Sequence, residues 1–172
     1  MAALVLLGTP AANAAEDGAL EYAVKATYLY KFIPFVEWPP SAAAPSSSVH
    51  LCVLGNDPVG DMVDRAAAGL RVDDRTIVVR HLRAIDRHSG CHILYVTGSE
   101  TQSVAQALAS VRGTPVLTVT DAAQEQRVKG IINFVVRDDR VRFEIDNEAA
   151  AENGLVISSK LLSLAVYVRP RS

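Results

Sequence analysis

The middle of the chain alternates short β-branched runs with stretches of helical periodicity, and this alternation limits its fold more than any other feature. Four runs have the length and composition of strands, at residues 49–55, 76–82, 93–97 and 114–119. After the first and third runs, apolar residues recur every three or four positions, as on one face of a helix. Strands separated by helices need right-handed crossovers, which build a largely parallel sheet with helices on both faces.

Polar residues ahead of these helical stretches predict where each helix begins. Asp57 followed by Pro58 fits an N-cap with proline in the first turn. Ser99 and Gln102 have the S-x-x-Q spacing of a capping box, and Gly113 fits the end of that helix. Both crossovers are therefore predicted to be helical.

The two ends of the chain add helices and a hairpin to this core. Apolar residues recur at helical spacing over residues 20–36, where Pro34 is expected to kink or end the helix. Residues 131–136 and 140–145 are typical of a hairpin, with acidic turn residues between them. A short helix over 148–153 and a last one that places Leu161, Leu162, Ala165 and Val166 on the core should follow. We predict an α/β fold: one domain, a largely parallel sheet flanked by helices, and an antiparallel C-terminal hairpin.

The first residues have features of an export signal. A short apolar run at residues 2–7 precedes Ala12-Asn13-Ala14, small residues of the kind that signal peptidase accepts. The run is too short to span a bilayer, which needs about 20 residues. It also lacks a basic start, so either the printed start lies inside a longer signal or the segment is not a signal. We expect residues 1–14 to be a cleaved signal peptide and residues 15–172 to be the exported domain.

The charge balance excludes two classes of partner. The 17 basic and 19 acidic residues nearly cancel, and no stretch gathers Lys and Arg. A nucleic-acid groove or a surface for anionic membranes requires such a cluster. Neither nucleic acid nor an anionic membrane surface is therefore expected as a partner, and membrane insertion is not expected because no apolar stretch is long enough to span a bilayer.

Two cysteines occur in a chain that is expected to be exported, where oxidation is permitted. Cys52 lies inside a predicted strand and Cys91 just before another, so adjacent strands could bring them to disulfide distance. We expect a Cys52–Cys91 disulfide. The alternative is a pair of buried free thiols, since cysteine is among the most buried residue types.

No catalytic or metal-binding signature is present. The G-x-S-x-G pentapeptide of α/β hydrolases does not occur, and Ser99 is more simply explained as a helix cap. The four histidines have no paired metal-ligand spacing, and a disulfide would remove Cys91 from the group near His88 and His92. We expect neither catalytic activity, nor a metal, nor a cofactor.

A small-ligand site is the alternative function, and the predicted sheet fixes where to look for it. Open α/β sheets bind ligands at the carboxyl ends of their strands. Gly55 and Asn56 follow one strand, and Ser99 follows another. Backbone N–H groups there could hold a small anion, although an ordinary turn between strand and helix explains the same residues.

Aromatic side chains are concentrated between residues 22 and 38, more than one helical face can bury. They either form a wide core-facing surface or leave one stripe exposed for a partner, with Tyr28 and Trp38 as anchors. Ser158, Ser159 and Lys160 offer a second polar corner. It is either a helix cap with a solvated lysine or a surface that recognises a partner carboxylate.

Several runs, taken in order, resemble the YfiR family of small periplasmic proteins. They are KATYLYKF at 25–32, WP at 38–39, NFVVR at 133–137, RVRFEI at 140–145 and GLVISSKLL at 154–162. The resemblance covers about residues 20–168. A disulfide at the spacing of Cys52 and Cys91 is also found in that family, whereas the second cysteine pair of some members is missing here.

The resemblance implies a binding protein of the periplasm. Family members bind the periplasmic part of an inner-membrane diguanylate cyclase and hold it inactive, and their release raises cyclic di-GMP and favours biofilm formation. Homodimers are usual. We therefore expect a regulator of such a cyclase or a related sensor, and the alternative is a periplasmic sensor of a small anionic ligand. The partner surface is expected at Tyr28 and Trp38 together with Ser158, Ser159 and Lys160.

Overall fold

A computed structural model describes residues 11–42, 48–124 and 127–172. Most of the predicted signal lies outside these ranges, as does most of residues 41–48, a stretch of Ser, Ala and Pro that predicts a surface loop. The helices are α1 (Ala11–Lys31), α2 (Pro58–Ala67), α3 (Val104–Val111), α4 (Asn147–Glu152) and α5 (Ser159–Leu162). The strands are β1 (Val36–Glu37), β2 (Ser48–Gly55), β3 (Arg71–Val72), β4 (Arg75–Leu82), β5 (Ile93–Gly98), β6 (Leu117–Asp121), β7 (Ile132–Arg137), β8 (Arg140–Asp146), β9 (Val156–Ile157) and β10 (Tyr167–Arg169).

The central sheet of the described chain has the order β10-β8-β7-β6-β5-β2-β4-β3. The five inner strands, in the spatial order β4, β2, β5, β6 and β7, run parallel to one another. Strands β7 and β8 form the antiparallel C-terminal hairpin, and β3 pairs antiparallel with β4. The prediction of an α/β domain with a largely parallel sheet and an antiparallel C-terminal hairpin is confirmed.

The strand order reverses at β2. The chain leaves β2 towards β4 on one side, then crosses back and continues with β5 and β6 on the other side. The connections after β2 and β5 therefore leave in opposite directions and open a crevice at the carboxyl edge of the sheet. In doubly wound sheets this switch point is the usual place for a ligand.

Each face of the sheet carries its own apolar core. On one face α1 and α2 cover the larger core, which includes Leu29, Phe32, Phe134 and Phe143. On the other face α3 covers a smaller core built around Cys52 and Leu94. Because both faces are covered, the inner strands have few polar residues, as expected for a parallel sheet.

Helix α1 starts earlier and ends earlier than the helix predicted over residues 20–36. It begins at Ala11 in the described chain and ends at Lys31, ahead of a 3-10 turn over Ile33–Phe35. Pro34 lies inside that turn, where its missing N–H group and fixed φ do not suit a continuing α-helix. The chain then enters β1, which pairs with β9 to form a separate two-stranded sheet.

One predicted helix cap is confirmed and another is wrong by one turn. Asp57 caps α2 by accepting hydrogen bonds from the N–H groups of Val59 and Gly60. The capping box of α3 is formed by Ser103 and Gln106, not by Ser99 and Gln102. The sequence repeats the S-x-x-Q spacing, and the earlier copy stabilises a turn while the Gln102 side chain bonds the backbone of Ile85.

The C-terminal segment ends as a strand, not as the predicted longer helix. Ser158, one of the two serines that fit a cap at this position, caps α5, but α5 is a single turn. Leu161 is buried, whereas Val166 is largely exposed and leads into β10, which pairs parallel to β8. The Val166 N–H group donates to the Phe143 carbonyl. Hydrogen bonds to the open edge of β8 therefore replace the bonds of a longer helix.

Cys52 and Cys91 form the predicted disulfide, with Cα atoms 5.9 Å apart. The alternative of two free thiols is thereby excluded. The bond links β2 to the residue two before β5 and lies in the core beneath α3.

Candidate functional site

A buried lysine joins α1 to the carboxyl edge of the sheet. Lys25 is completely buried, and its Nζ lies 2.6 Å from Oδ2 of Asp121 and 2.5 Å from Oε1 of Glu21. Burial lowers the pKa of Lys25, but its hydrogen bonds to Asp121 and Glu21 raise it by more, so the net pKa is above the usual value. The amine therefore stays protonated and acts as a hydrogen-bond donor, not as a nucleophile.

A second buried polar contact lies at the same edge. The Tyr95 hydroxyl donates to Oδ2 of Asp57 at 2.8 Å, while Oδ1 of Asp57 caps α2. Burial, followed by the charges of Asp57 and Asp121, raises the pKa of Tyr95 well above its usual range. The phenol is thus a permanent donor that fixes the start of α2 against β5.

Sequence reasoning missed both contacts. Lys25 lies in a run that resembles the family, and nothing in the sequence distinguishes Asp121 from other polar residues. Glu21 precedes Lys25 by four residues, the spacing of a helical ion pair, but that signal places both side chains in solvent as readily as in a core. Asp121 is 96 positions away in the sequence, so its pairing follows only from the fold.

The three residues proposed for ligand binding do lie around one cavity. Gly55, Asn56 and Ser99 line a space of about 450 Å³ at the switch point, with His81 and Arg83 opposite. Gly55 has a φ of 126°, which residues with a side chain rarely adopt. A Cβ at this position would also clash with the Thr97 side chain.

Much of this cavity's hydrogen-bonding capacity is already used. The Ser99 hydroxyl donates to the Arg83 carbonyl at 2.7 Å and accepts from the Gln102 N–H group. Asp57 occupies the free N–H groups at the start of α2. The side chains of Asn56 and Arg83 have no partner in the described chain and remain as donors for an anion.

The predicted partner residues lie on different elements of the fold. Tyr28 is half-buried and its ring lies 5.7 Å from the rings of Phe32 and Phe143. Trp38 follows β1 and lies edge-on to His92 at 6.1 Å. Ser158 follows β9, so the antiparallel pairing of β1 with β9 puts it at the opposite end of that small sheet from Trp38. Ser159 and Lys160 are exposed.

A groove lies between α1 and the β7–β8 hairpin. We call it the α1–hairpin groove; it has a volume of about 840 Å³. Leu20, Val24 and Tyr28 line it from α1, and Val136 and Val141 line it from the hairpin. Leu20 is 66% exposed and Val136 is 48% exposed. Of the residues that line this groove, the sequence pointed only to Tyr28. Leu20 and Val24 lie outside the row of apolar residues by which α1 faces the core.

Two histidines form a contact at the opposite, amino-terminal edge of the sheet. Nδ1 of His92 accepts a hydrogen bond from the His50 N–H group at 3.1 Å, and Nε2 lies 3.3 Å from the Ala42 carbonyl. Burial, with the nearby His50 and Arg75, lowers the pKa of His92. Among the described residues, no group of His, Cys, Asp and Glu side chains is arranged to hold a metal ion.

Comparison with known protein families gives a match over most of the chain. No helix within the described ranges is both long and apolar enough to cross a membrane. A family model described as YfiR/HmsC-like matches residues 22–166, from the middle of α1 to the residue before β10. That range contains the Lys25–Asp121 pair, the disulfide and the hairpin, and the chain belongs to the YfiR/HmsC-like family.

Proposed function

We propose that this protein is a periplasmic regulator that restrains an inner-membrane diguanylate cyclase, or a related sensor, by binding its periplasmic part. The match to a regulatory family over residues 22–166 is the observation that carries the proposal. Release of the partner would raise cyclic di-GMP and favour biofilm formation. The proposal includes export after cleavage at Ala14, and a homodimer as the form that binds.

The arrangement of polar groups supports a binding role over catalysis. Lys25 and Tyr95 are held in their protonated forms, and both Asp57 and Asp121 already accept hydrogen bonds. A general base or nucleophile needs a free lone pair that faces a substrate. The exposed apolar residues of the α1–hairpin groove are instead typical of a surface that binds another protein.

Restraint of an enzyme requires a preference between two of its conformations. A shift from mostly active to mostly inactive needs about 5.5 kcal/mol of differential binding. An interface of ordinary size can supply this if a few well-packed side chains contact only the inactive form. A rigid binding surface helps, and the disulfide together with the Lys25–Asp121 pair holds the sheet and α1 in one arrangement.

The test is direct binding. The oxidised chain from residue 15 onward is used to capture its partner from solubilised inner membranes, and the captured protein's periplasmic part is then purified and titrated by calorimetry. We expect a saturable complex with a cyclase or a related sensor. Capture of no membrane sensor, or a captured domain that does not bind in isolation, would contradict the proposal.

A second candidate function, a sensor of a small anion, rests on the switch-point cavity and on the unpaired donors of Asn56 and Arg83. Thermal unfolding with inorganic phosphate or small dicarboxylates tests it. A ligand at 100 times its dissociation constant stabilises by about 2.7 kcal/mol. The shift should disappear in Arg83→Ala and persist in Arg87→Ala, an exposed control four residues later in the same loop.

A further inference from the structure

The side of α1 that faces away from the core is apolar over two turns. Leu20 is 66% exposed, and Val24 and Thr27 are half-buried. The Thr27 hydroxyl donates to the Ala23 carbonyl at 2.9 Å, so its polar group is already satisfied within the helix. Leu29, which faces the core from the same helix, is completely buried. A surface helix normally carries charged or polar residues on its outer side, so this apolar side is typical of a helix that packs against a further element.

The outer side of α1 has the spacing of a coiled-coil seam. Steps of three, four, three and four residues connect Asp17, Leu20, Val24, Thr27 and Lys31, which we call the α1 row. These are the steps between heptad positions a and d, which stay on one side of a helix. Asp17 and Lys31 are exposed, and neither forms an ion pair within the described residues. The row therefore has an apolar centre, an unpaired acid at one end and an unpaired base at the other.

The α1 row is complementary to itself when two copies run antiparallel. Asp17 and Lys31 are each seven residues from Val24, so a two-fold axis at Val24 puts Asp17 of one copy opposite Lys31 of the other. Leu20 then lies at the level of Thr27, within one residue along the helix axis, and the two Val24 side chains meet at the axis. Opposite charges close both ends of the contact. A parallel arrangement would instead put like charges together at both ends, which is unfavourable.

Apolar residues of the hairpin extend this surface beyond α1. In the β7–β8 register Val136 is opposite Val141, on the face by which Phe134 and Phe143 pack into the core beneath α1. Both valines line the α1–hairpin groove, and Val136 is 48% exposed. A specific interface needs roughly 1,000 Å² of buried surface or more. In a symmetric dimer each copy supplies its row and its hairpin valines, so both surfaces count twice towards that area.

We propose that the α1 row is the interface of a two-fold symmetric dimer, in which α1 of a second copy packs antiparallel along it. The occupant is a second copy of this chain because the row complements its own pattern of charge and apolar residues, as an isologous interface requires. The inference rests on the homodimer of the proposed function, to which it adds a surface and an orientation, but not on the identity of the membrane partner.

Sedimentation equilibrium of the oxidised chain from residue 15 onward measures the dimer. We expect a dimer for wild type and a monomer for Leu20→Lys at the same concentration, because each copy would then place a charge in the apolar centre of the contact. The control is Val78→Lys on β4, an exposed residue near the far edge of the sheet, which should remain dimeric. Unchanged circular dichroism shows that each variant is folded.

Charge exchange tests the antiparallel orientation. Lys31→Asp should raise the dissociation constant of the dimer about tenfold, because two ion pairs become two contacts between like charges. Asp17→Lys should have the same effect, and the two substitutions together should restore the wild-type dissociation constant. Arg87→Asp, in the exposed loop after β4, changes the net charge as Lys31→Asp does and should have no effect.

A cysteine at the proposed two-fold axis tests the register. Cys52 and Cys91 are joined, so Val24→Cys adds a single reactive thiol to each chain. A short bis-maleimide should link the Val24→Cys protein into covalent dimers, because the two thiols face each other across the axis. The same reagent should leave Val78→Cys protein, the matched control, largely unlinked.

Several outcomes would overturn the inference. These are a wild-type protein that stays monomeric up to about 0.1 mM, a dimer that Leu20→Lys leaves intact, or an exchange of Asp17 and Lys31 that does not restore the dimer. A monomeric wild type that binds the captured sensor, and loses it in Leu20→Lys, would show that the membrane partner covers the α1 row instead. If the dimer behaves as expected but no membrane sensor is captured, the proposed function fails while the interface stands.

Discussion

At the scale of single residues, Lys25 and Asp121 are the pair on which the position of α1 depends. The Asp121 side chain is 4% exposed, so Lys25→Met would leave a buried carboxylate without its cation. We expect the free energy of unfolding to fall by about 3–5 kcal/mol, the usual cost of an uncompensated buried charge. Urea denaturation measures it. The exposed Lys160→Met should change stability by no more than about 0.5 kcal/mol, and a Lys25→Met protein as stable as wild type would show that the pair is dispensable.

His92 makes stability depend on pH in one direction. Its pKa in the folded protein is lowered, mainly by burial, so folding favours the neutral ring that accepts from the His50 N–H group. Its contribution is therefore complete above the unfolded pKa of about 6.5 and is lost as pH falls below it.

The check is the difference in unfolding free energy between wild type and His92→Gln, measured from pH 8 to pH 5. We expect the difference to shrink as the pH falls. His50 and Arg75 are the nearby groups whose charges disfavour the charged ring. His81→Gln, which removes an exposed histidine paired with Asp64, is the control and should leave this trend unchanged. A difference that is constant with pH would contradict the assignment.

At the scale of secondary-structure elements, the disulfide fixes the approach to β5 beside β2. It closes a loop of 39 residues, which corresponds to about 4 kcal/mol of stability in the chain-entropy model. Cys52→Ala with Cys91→Ala should lose an amount of that order in guanidinium denaturation. Wild type under reducing conditions is the matched comparison. Unfolding midpoints that do not differ between oxidised and reduced wild type would contradict the estimate.

Tyr28 has two roles on α1, because its ring packs on Phe32, Phe134 and Phe143 and also lines the α1–hairpin groove. Tyr28→Ala should therefore lose about 2 kcal/mol of stability, less than a fully buried aromatic residue, as well as partner binding. Tyr28→Phe keeps the ring and should retain both. Thermal unfolding and titration of the partner's periplasmic part separate the two effects. A fully stable Tyr28→Ala protein would mean that the ring is not part of the core.

Local patterns predicted most of the larger elements, and non-local contacts decided the rest. Strands β2, β4 and β5, helix α2 and the hairpin follow from periodicity and turn residues, and the acidic turn residues Asp138 and Asp139 adopt positive φ as a tight turn requires. The short strands β1, β9 and β10 exist only because distant partners pair with them. The capping box shifted by one turn because two S-x-x-Q spacings occur in tandem, and only packing distinguishes them.

At the scale of the whole molecule, the fold could be predicted but the candidate site could not. Alternating strands and helices define a doubly wound sheet, and the family resemblance indicates a binding protein. The groove arises from how α1 lies against the hairpin, more than 100 residues later in the chain. No periodicity reports that relation, so the sequence points to Tyr28, Trp38 and Lys160 but not to Leu20 and Val136, which line the groove.

The central claim is that this protein holds an inner-membrane cyclase inactive from the periplasmic side. Its most direct test is the rate of cyclic di-GMP synthesis in spheroplasts that contain the captured cyclase, while the purified oxidised protein is added to the exposed periplasmic face. The account predicts a saturable fall in that rate, weaker with the Leu20→Lys variant and unchanged with the Val78→Lys control. A rate of synthesis that stays constant at saturating concentrations of the wild-type protein would contradict it.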